Sequence, residues 1–264
     1  MENLQIAYLQ TDLVWEDIDA NLEQFSASFS TISQLVDLIV LPETFNTAFC
    51  HNIEQLAEQP DGRTTQFLLS KAKEMQSVIT GSLFIKENGK IYNRLIWAKP
   101  NGTYEYYDKK HAFILSEEAQ TVSTGNKLCT FELKGWKIRP FICYDLRFPC
   151  WTRNRFTEEE GFTYDVFLCI ANWPGQRASV WHTLNIARAM ENVAYVIAVN
   201  RVGADGYNNP YIGDSMVVDF KGEIISKAED NKASIEYVSL DFDKLSEFRK
   251  KFPVHLDWEP FKLM

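Results

Sequence analysis

The alternation of short apolar runs with helix-like segments is the feature that most constrains the fold of this chain. Such alternation predicts βαβ units, mostly parallel sheets and an outer layer of helices, which is an α/β fold. The predicted strands are residues 4–10, 36–41, 78–85, 90–98, 103–107, 138–142, 166–171, 194–199, 216–220, 223–226 and 234–239. The predicted helices are residues 18–30, 64–75, 179–192 and 245–250.

The domain organisation is expected to be simple. The 264 residues contain no internal repeat, no low-complexity tract and no linker rich in proline and serine. With 45% hydrophobic and 24% charged residues, the chain has the composition of a globular protein with a sizeable core. Residues 1–264 are therefore predicted to form a single domain.

Charge and hydropathy exclude several classes of partner. A formal net charge of −9 argues against nucleic acid, because phosphate binding needs a basic face. No run approaches the roughly 20 apolar residues of a membrane span, so no membrane association is expected. The N-terminus has no basic segment followed by an apolar run, and the five scattered cysteines include no Cys-x-x-Cys pair. Both features predict a cytoplasmic protein with free thiols.

Polar or reactive side chains follow three of the predicted strands. Glu43 comes shortly after the second strand, Cys143 directly follows the strand that ends at residue 142, and Asn172 and Trp173 follow the next one. In open α/β sheets ligands bind beyond the carboxyl ends of the strands. These residues are therefore expected to lie at the functional edge of the fold.

Three side chains near strand ends could carry chemistry. Cys143 could be a nucleophile, although free cysteines are often inert core residues. Phe45 and Phe49 could desolvate Glu43 and so suit it to exchange protons, although most glutamates are solvated. Lys109 lies among aromatic residues, where a fixed ammonium could stabilise an oxyanion, although it could equally be a solvated loop cation.

Signatures of other chemistries are missing from the sequence. There is no G-x-S-x-G elbow of a serine α/β-hydrolase, no G-x-G-x-x-G and no P-loop. The four histidines do not have zinc-ligand spacing. No metal and no cofactor are therefore predicted. No histidine lies near Cys143 in sequence, but a carboxylate could serve as its base.

Three motifs in this order resemble the nitrilase superfamily of carbon–nitrogen hydrolases. They are Leu-Pro-Glu43-Thr-Phe, Tyr-Asp-Lys109-Lys-His-Ala-Phe and Ile-Cys143-Tyr-Asp-Leu-Arg-Phe-Pro. The later segments Ala-Asn-Trp-Pro and Asn-Arg-Val-Gly also match, so the resemblance covers nearly the whole chain. Within the superfamily, the chain is most similar to the omega-amidase branch of the YafV type.

The resemblance implies a fold and a catalytic triad. The fold would be a four-layer α-β-β-α sandwich of two mixed sheets, and the protein would be a homodimer. Glu43 would be the general base, Lys109 the oxyanion stabiliser and Cys143 the nucleophile. Glu118, seven residues before a loop glycine, would be a second acid that positions Lys109 or the substrate amide, although Glu117 beside it leaves a second alignment open.

The resemblance also implies a substrate, the terminal amide of a small dicarboxylate such as α-ketoglutaramate or α-ketosuccinamate, cleaved through a thioester. Arg147 would bind its free carboxylate, or alternatively form an ion pair with Asp145. The backbone N–H of Tyr144 would help hold the oxyanion. Trp173 would line the pocket, or alternatively belong to the core.

Other functions stay open at this point. A nitrilase, an aliphatic amidase or an N-carbamoyl hydrolase would share the same triad. A non-catalytic scaffold could retain it as a relic. A redox sensor could instead pair Cys143 with Cys150, although their spacing is not a redox motif.

Overall fold

The computed structural model describes residues 1–263, which form two six-stranded sheets. The first sheet has the order β16-β1-β2-β3-β4-β5. Its strands are β1 (Leu4–Gln10), β2 (Leu38–Val40), β3 (Val78–Glu87), β4 (Lys90–Ala98), β5 (Tyr104–Asp108) and β16 (Ser234–Leu240).

The second sheet has the order β15-β14-β11-β10-β7-β6. Its strands are β6 (Phe131–Leu133), β7 (Trp136–Ile142), β10 (Val166–Ile170), β11 (Tyr195–Val199), β14 (Met216–Val218) and β15 (Ile224–Lys227). Two small hairpins are formed by β8 (Phe156–Thr157) with β9 (Gly161–Phe162), and by β12 (Val202–Ala204) with β13 (Pro210–Ile212).

Among residues 1–263, seven α-helices accompany the strands. They are α1 (Ile18–Ser30), α2 (Ile53–Leu56), α3 (Arg63–Met75), α4 (Glu118–Thr121), α5 (Pro149–Thr152), α6 (Ala178–Asn192) and α7 (Phe242–Lys251). The helix predicted at residues 18–30 is confirmed, and it begins where the Asp17 side chain accepts a hydrogen bond from the N–H of Ala20. Within residues 1–263, none of the helices has the length and apolar character of a membrane span.

The expectation of mostly parallel sheets was wrong. Parallel pairing is confined to β1-β2-β3 and to β7-β10-β11, and the other strands in both sheets pair antiparallel. The reason is that β3, β4 and β5 follow one another through short turns, which can join only antiparallel neighbours. The two mixed sheets expected from the family resemblance are confirmed.

Alternating side chains divide the first sheet between two apolar layers. Ile6 and Leu38 point into a core that also contains the strands of the second sheet and Ala189 of α6. Ala7 and Ile39 point the other way, where they pack with residues of α1 and α3 such as Phe25. The order of layers is therefore helix, sheet, sheet, helix, and the four-layer sandwich is confirmed.

Candidate active site

Glu43 lies where the chain leaves β2, and its side chain is fully buried. Its Oε1 accepts hydrogen bonds from Lys109 Nζ at 2.8 Å and from Asn93 Nδ2 at 2.9 Å. Its Oε2 accepts one from the backbone N–H of Asn172 at 2.7 Å. Because Asn172 follows β10, these contacts join the ends of the two sheets. Glu43 is therefore an internal carboxylate and not a solvated loop acid.

Lys109 follows β5 and is 1% exposed. Its Nζ donates to Glu43 Oε1 at 2.8 Å and to both carboxylate oxygens of Glu118 at 2.9 Å. Burial alone would lower the pKa of Lys109, but the attraction of Glu118 and Glu43 outweighs it and raises the pKa above its usual value. The lysine is therefore a permanently charged ammonium and not a solvated loop cation.

Glu118 is the first residue of α4 and is fully buried. Besides Lys109, it accepts hydrogen bonds from Asn93 Nδ2 at 2.9 Å and from the N–H of Phe113 at 2.7 Å. Burial raises the pKa of Glu118, and the charge of Lys109 opposes that rise. Glu117 is exposed, so Glu118 is the acid that the fold brings to Lys109.

Cys143 begins a 3-10 helix, Cys143–Arg147, directly after β7. Its φ of +45° is in the left-handed region, which non-glycine residues rarely adopt and which often marks functional positions. The Sγ atom lies 3.9 Å from the backbone oxygen of Asn172. Burial, and then the negative charge of Glu43, raise the pKa of the Cys143 thiol well above its usual value. The thiol is therefore protonated at neutral pH.

Asp145 and Arg147, on the same 3-10 helix, are not partners. Asp145 is fully buried and accepts hydrogen bonds from the Tyr107 hydroxyl at 2.8 Å and from the N–H of His111 at 3.0 Å. The Arg147 guanidinium lies 5.0 Å from the ring centroid of Trp173. Its side chain has no hydrogen bond or ion pair with any residue in the range 1–263, so the alternative of an Arg147–Asp145 pair was wrong.

A cavity opens above these residues, and Cys143, Tyr144, Arg147 and Trp173 all contribute to its wall. Trp173 is only 3% exposed, and its Nε1 donates to the backbone oxygen of Arg177 at 2.8 Å. The other lining residues are Phe49, His51, Phe113, Leu115, Ser116, Asn172, Pro174, Arg177, Asp205, Asn209 and Tyr211. Four of the sequence-predicted residues thus line one cavity, whereas Glu43, Lys109 and Glu118 are buried and are not part of its wall.

Two asparagines hold this arrangement together: Asn172, which the sequence placed at a strand end, and Asn93, which the sequence analysis did not select. The Nδ2 of Asn93, on β4, bridges Glu43 and Glu118. Its backbone oxygen also accepts the N–H of Lys109 at 2.9 Å. Asn172 bonds to Glu43 through both its backbone and its side chain. The sequence signal that could have pointed to Asn93 is an asparagine inside a predicted strand.

Gly125 allows the loop after α4 to approach the strand that carries Lys109. Its N–H donates to the Lys109 backbone oxygen at 2.8 Å. A Cβ at this position would lie only 2.1 Å from the backbone oxygen of Asp108, so any side chain would displace the segment. The glycine used to locate Glu118 in the sequence therefore has a physical role beside Lys109.

The thiol considered as a redox partner of Cys143 lies outside the cavity wall. Cys150 is exposed on α5, whereas Cys143 is half-buried, and both are free thiols. No group of three or more His, Cys, Asp or Glu side chains in residues 1–263 has an arrangement that could hold a metal ion.

Comparison with known proteins places the chain among hydrolases of carbon–nitrogen bonds. Residues 5–250 match the carbon-nitrogen hydrolase family. Omega-amidase YafV from Escherichia coli (strain K12) is 38% identical over 263 residues, which is 100% of both chains. The 2-oxoglutaramate amidase of Bacillus subtilis (strain 168) is 32% identical and covers 96% of both chains.

Solved structures show the same family relationship. XC1258 from Xanthomonas campestris, a CN-hydrolase superfamily protein with an arsenic adduct in its active site, is 38% identical with a TM-score of 0.97, and each chain is covered completely. Nit3 from Saccharomyces cerevisiae, a member of the nitrilase superfamily, is 25% identical with a TM-score of 0.82; 96% of this chain and 95% of Nit3 are covered. The chain belongs to the carbon–nitrogen hydrolase family of the nitrilase superfamily and is an amidohydrolase.

Proposed function

We propose that this protein is an omega-amidase that releases ammonia from the terminal amide of small dicarboxylate monoamides, α-ketoglutaramate and α-ketosuccinamate among them. The observation that carries the proposal is the buried Glu43–Lys109–Glu118 cluster, linked through Asn172 to Cys143 in a cavity whose wall also holds the unpaired guanidinium of Arg147. Omega-amidase YafV and the 2-oxoglutaramate amidase support it as relatives similar over almost the whole chain.

Acylation begins with the protonated thiol of Cys143. Because its pKa is raised, the proton has to leave as the sulfur attacks the amide carbon, and Glu43 accepts it. Negative charge then develops on the amide oxygen, where Lys109 Nζ and the N–H of Tyr144 stabilise it. One such donor is worth roughly 3 kcal/mol in comparable oxyanion holes. Glu43 returns the proton to the departing nitrogen, and ammonia leaves behind a thioester.

Hydrolysis of the thioester uses the same groups. Glu43 takes a proton from a water molecule as its oxygen attacks the carbonyl carbon, and the proton then returns to the sulfur of Cys143. Lys109 keeps its proton throughout, because the two carboxylates raise its pKa. Its role is therefore electrostatic, and Glu118 and Asn93 fix its position. No cofactor or metal enters these steps.

The carboxylate of the substrate would be bound by Arg147. This arginine is four residues from Cys143 on a 3-10 helix, which rises about 2 Å per residue, so the two backbone positions are separated by about 8 Å along its axis. Both side chains contribute to the wall of the same cavity. The Arg147 guanidinium over Trp173 is free to form a bidentate pair with a carboxylate. Trp173 would form the flat wall beside the chain.

The test is ammonia release from α-ketoglutaramate by the purified protein and by Cys143→Ala. We expect turnover by the wild type and none by the variant. The exposed thiol provides a matched control, because Cys150→Ala should retain full activity. A folded wild type that released no ammonia would contradict the substrate assignment. A panel of neutral amides, nitriles and carbamoyl amino acids would then identify another hydrolase of this fold or a scaffold without activity.

We also propose that the enzyme is a cytoplasmic homodimer. Support for a second copy comes from α6, which leaves Met190 54% exposed and Val180 and Leu184 only partly covered. Burial of these side chains against the same helix of a partner would remove apolar surface from water. Sedimentation of the wild type and of Met190→Glu tests this: the dimer should weaken in the variant, and a monomeric wild type would contradict the proposal.

A further inference from the structure

The cavity wall carries a second unpaired cation, Arg177, whose role the proposed reaction does not explain. Arg177 ends the 3-10 helix Gly175–Arg177, and its guanidinium lies 5.4 Å from the ring centroid of Phe113. Like that of Arg147, its side chain forms no hydrogen bond or ion pair with the residues in the range 1–263. Two half-buried guanidinium groups therefore face one cavity without a counter-ion of their own.

The backbone of Arg177 is held firmly although its guanidinium is free. Its carbonyl oxygen accepts the Nε1–H of Trp173 at 2.8 Å. Gly175 brings the segment against β13 so closely that a Cβ there would lie 3.2 Å from the backbone oxygen of Pro210. The guanidinium is thus presented at the cavity by a fixed support, as expected for a group that contacts a ligand.

Asp205 is the one acidic residue of the cavity wall among the described residues, and it is committed to its own hairpin. Its Oδ1 accepts the N–H groups of Tyr207 and Asn209, both at 2.9 Å, and its Oδ2 accepts Asn209 Nδ2 at 2.9 Å. Burial alone would raise the pKa of Asp205, but these hydrogen bonds outweigh it and lower the pKa. Asp205 remains charged, and its oxygens already accept hydrogen bonds within its own hairpin.

We propose that Arg177 is a specificity-determining residue that makes the site prefer 2-oxo acids over 2-amino acids as ω-amide substrates. The inference rests on the proposed function. Arg147 binds the carboxylate, and Arg177 donates a hydrogen bond to the neighbouring 2-oxo oxygen, which can only accept. A 2-ammonium group would place a positive charge against Arg177 with no free carboxylate of the wall to receive it.

Removal of the Arg177 side chain is expected to weaken this preference in two ways. A hydrogen bond from a guanidinium to the 2-oxo oxygen is lost when the arginine is removed, and a like-charge contact with a 2-ammonium group is relieved. We expect Arg177→Met to lower the ratio of kcat/KM for α-ketoglutaramate to that for L-glutamine by at least about tenfold. The monoamide of glutaric acid, which has no substituent at that carbon, separates the two effects.

The experiment measures kcat/KM for these three amides with the wild type, Arg177→Met and Arg177→Lys. In Arg177→Met we expect a loss on α-ketoglutaramate, no loss or a gain on L-glutamine, and little change on glutaric monoamide. Arg177→Lys keeps the charge and should retain much of the preference. Arg63→Met is the matched control, because Arg63 forms a surface ion pair with Asp19 and should leave all three values unchanged.

The outcomes separate the two proposals. If Arg177→Met lowers kcat/KM equally for all three amides, its role is structural and the inference is overturned, while the omega-amidase assignment stands. If the wild type turns over none of them, the proposed function fails and the inference fails with it. Calorimetric binding of α-ketoglutaramate to Cys143→Ala, with and without Arg177→Met, gives a second reading that does not depend on turnover; equal affinities would overturn the inference.

Discussion

Replacement of Glu118 by Gln is the sharpest test of how the active site is held together. The two oxygens of Glu118 accept four hydrogen bonds: one each from Asn93 Nδ2 and the Phe113 N–H, and two from Lys109 Nζ. Gln has almost the same shape but only one accepting oxygen. In either orientation of the amide, its NH₂ group would face Lys109 and one further donor.

The magnitude follows from these contacts. A buried donor left without an acceptor costs about 1–3 kcal/mol of stability. Because Lys109 keeps its hydrogen bond to Glu43, the loss of stability stays below the roughly 3–5 kcal/mol that is typical of a fully broken buried ion pair. We expect the free energy of unfolding to fall by about 2 kcal/mol. The amide would also push Lys109 Nζ from its position at the oxyanion, and kcat should fall about 100-fold, with KM much less affected.

The assay compares Glu118→Gln with Glu117→Gln, since the neighbouring Glu117 is exposed and its side chain has no hydrogen bond or ion pair to another residue between 1 and 263. Ammonia release gives kcat and KM, and urea denaturation gives the free energy of unfolding. The Glu117 variant should match the wild type in both. A Glu118 variant with wild-type kcat, or equal losses in the two variants, would refute the argument that Glu118 positions Lys109.

Three further predictions concern charge. Arg147→Met should raise KM at least tenfold for amides that carry a carboxylate and leave a neutral amide unaffected; equal effects on both would contradict a carboxylate contact. Glu43→Gln should abolish turnover yet accelerate iodoacetamide labelling of Cys143 at pH 8. Burial and the negative charge of Glu43 both raise the pKa of the Cys143 thiol, and the substitution removes that charge. Slower labelling would contradict this prediction. Four thiols have pKa values that are raised in the folded protein. As the pH rises, these thiols therefore lose their protons in the unfolded chain before they do so in the folded one. The free energy of unfolding should then fall above about pH 8.5, by up to about 1.4 kcal/mol per pH unit for each thiol, and a denaturation midpoint that is constant to pH 10 would contradict it. The thiols are Cys50, Cys129, Cys143 and Cys169.

Local sequence patterns predicted much of the fold because they depend on near neighbours. Apolar runs and caps located the main strands and helices, and α1 and β1 have the predicted boundaries. Strand direction was predicted less well, since it is decided by which strands pair across the sheet. The three-residue strands β6, β12 and β13 and the four-residue helix α4 were missed, because so few residues carry no readable periodicity.

The reactive residues that follow strand ends, and the motifs typical of the family, can be read directly from the sequence. How these residues meet depends on the tertiary structure. Lys109 and Glu43 are 66 residues apart in the chain, and Glu43 and Asn172 are 129 apart, yet each pair is in direct hydrogen-bond contact. The pairing of whole strands, and the burial that it enforces, places Asn93 between Glu43 and Glu118. The same packing leaves the Arg147 side chain without a hydrogen-bond partner among residues 1–263. Such contacts are fixed by long-range packing, which no short window of sequence contains.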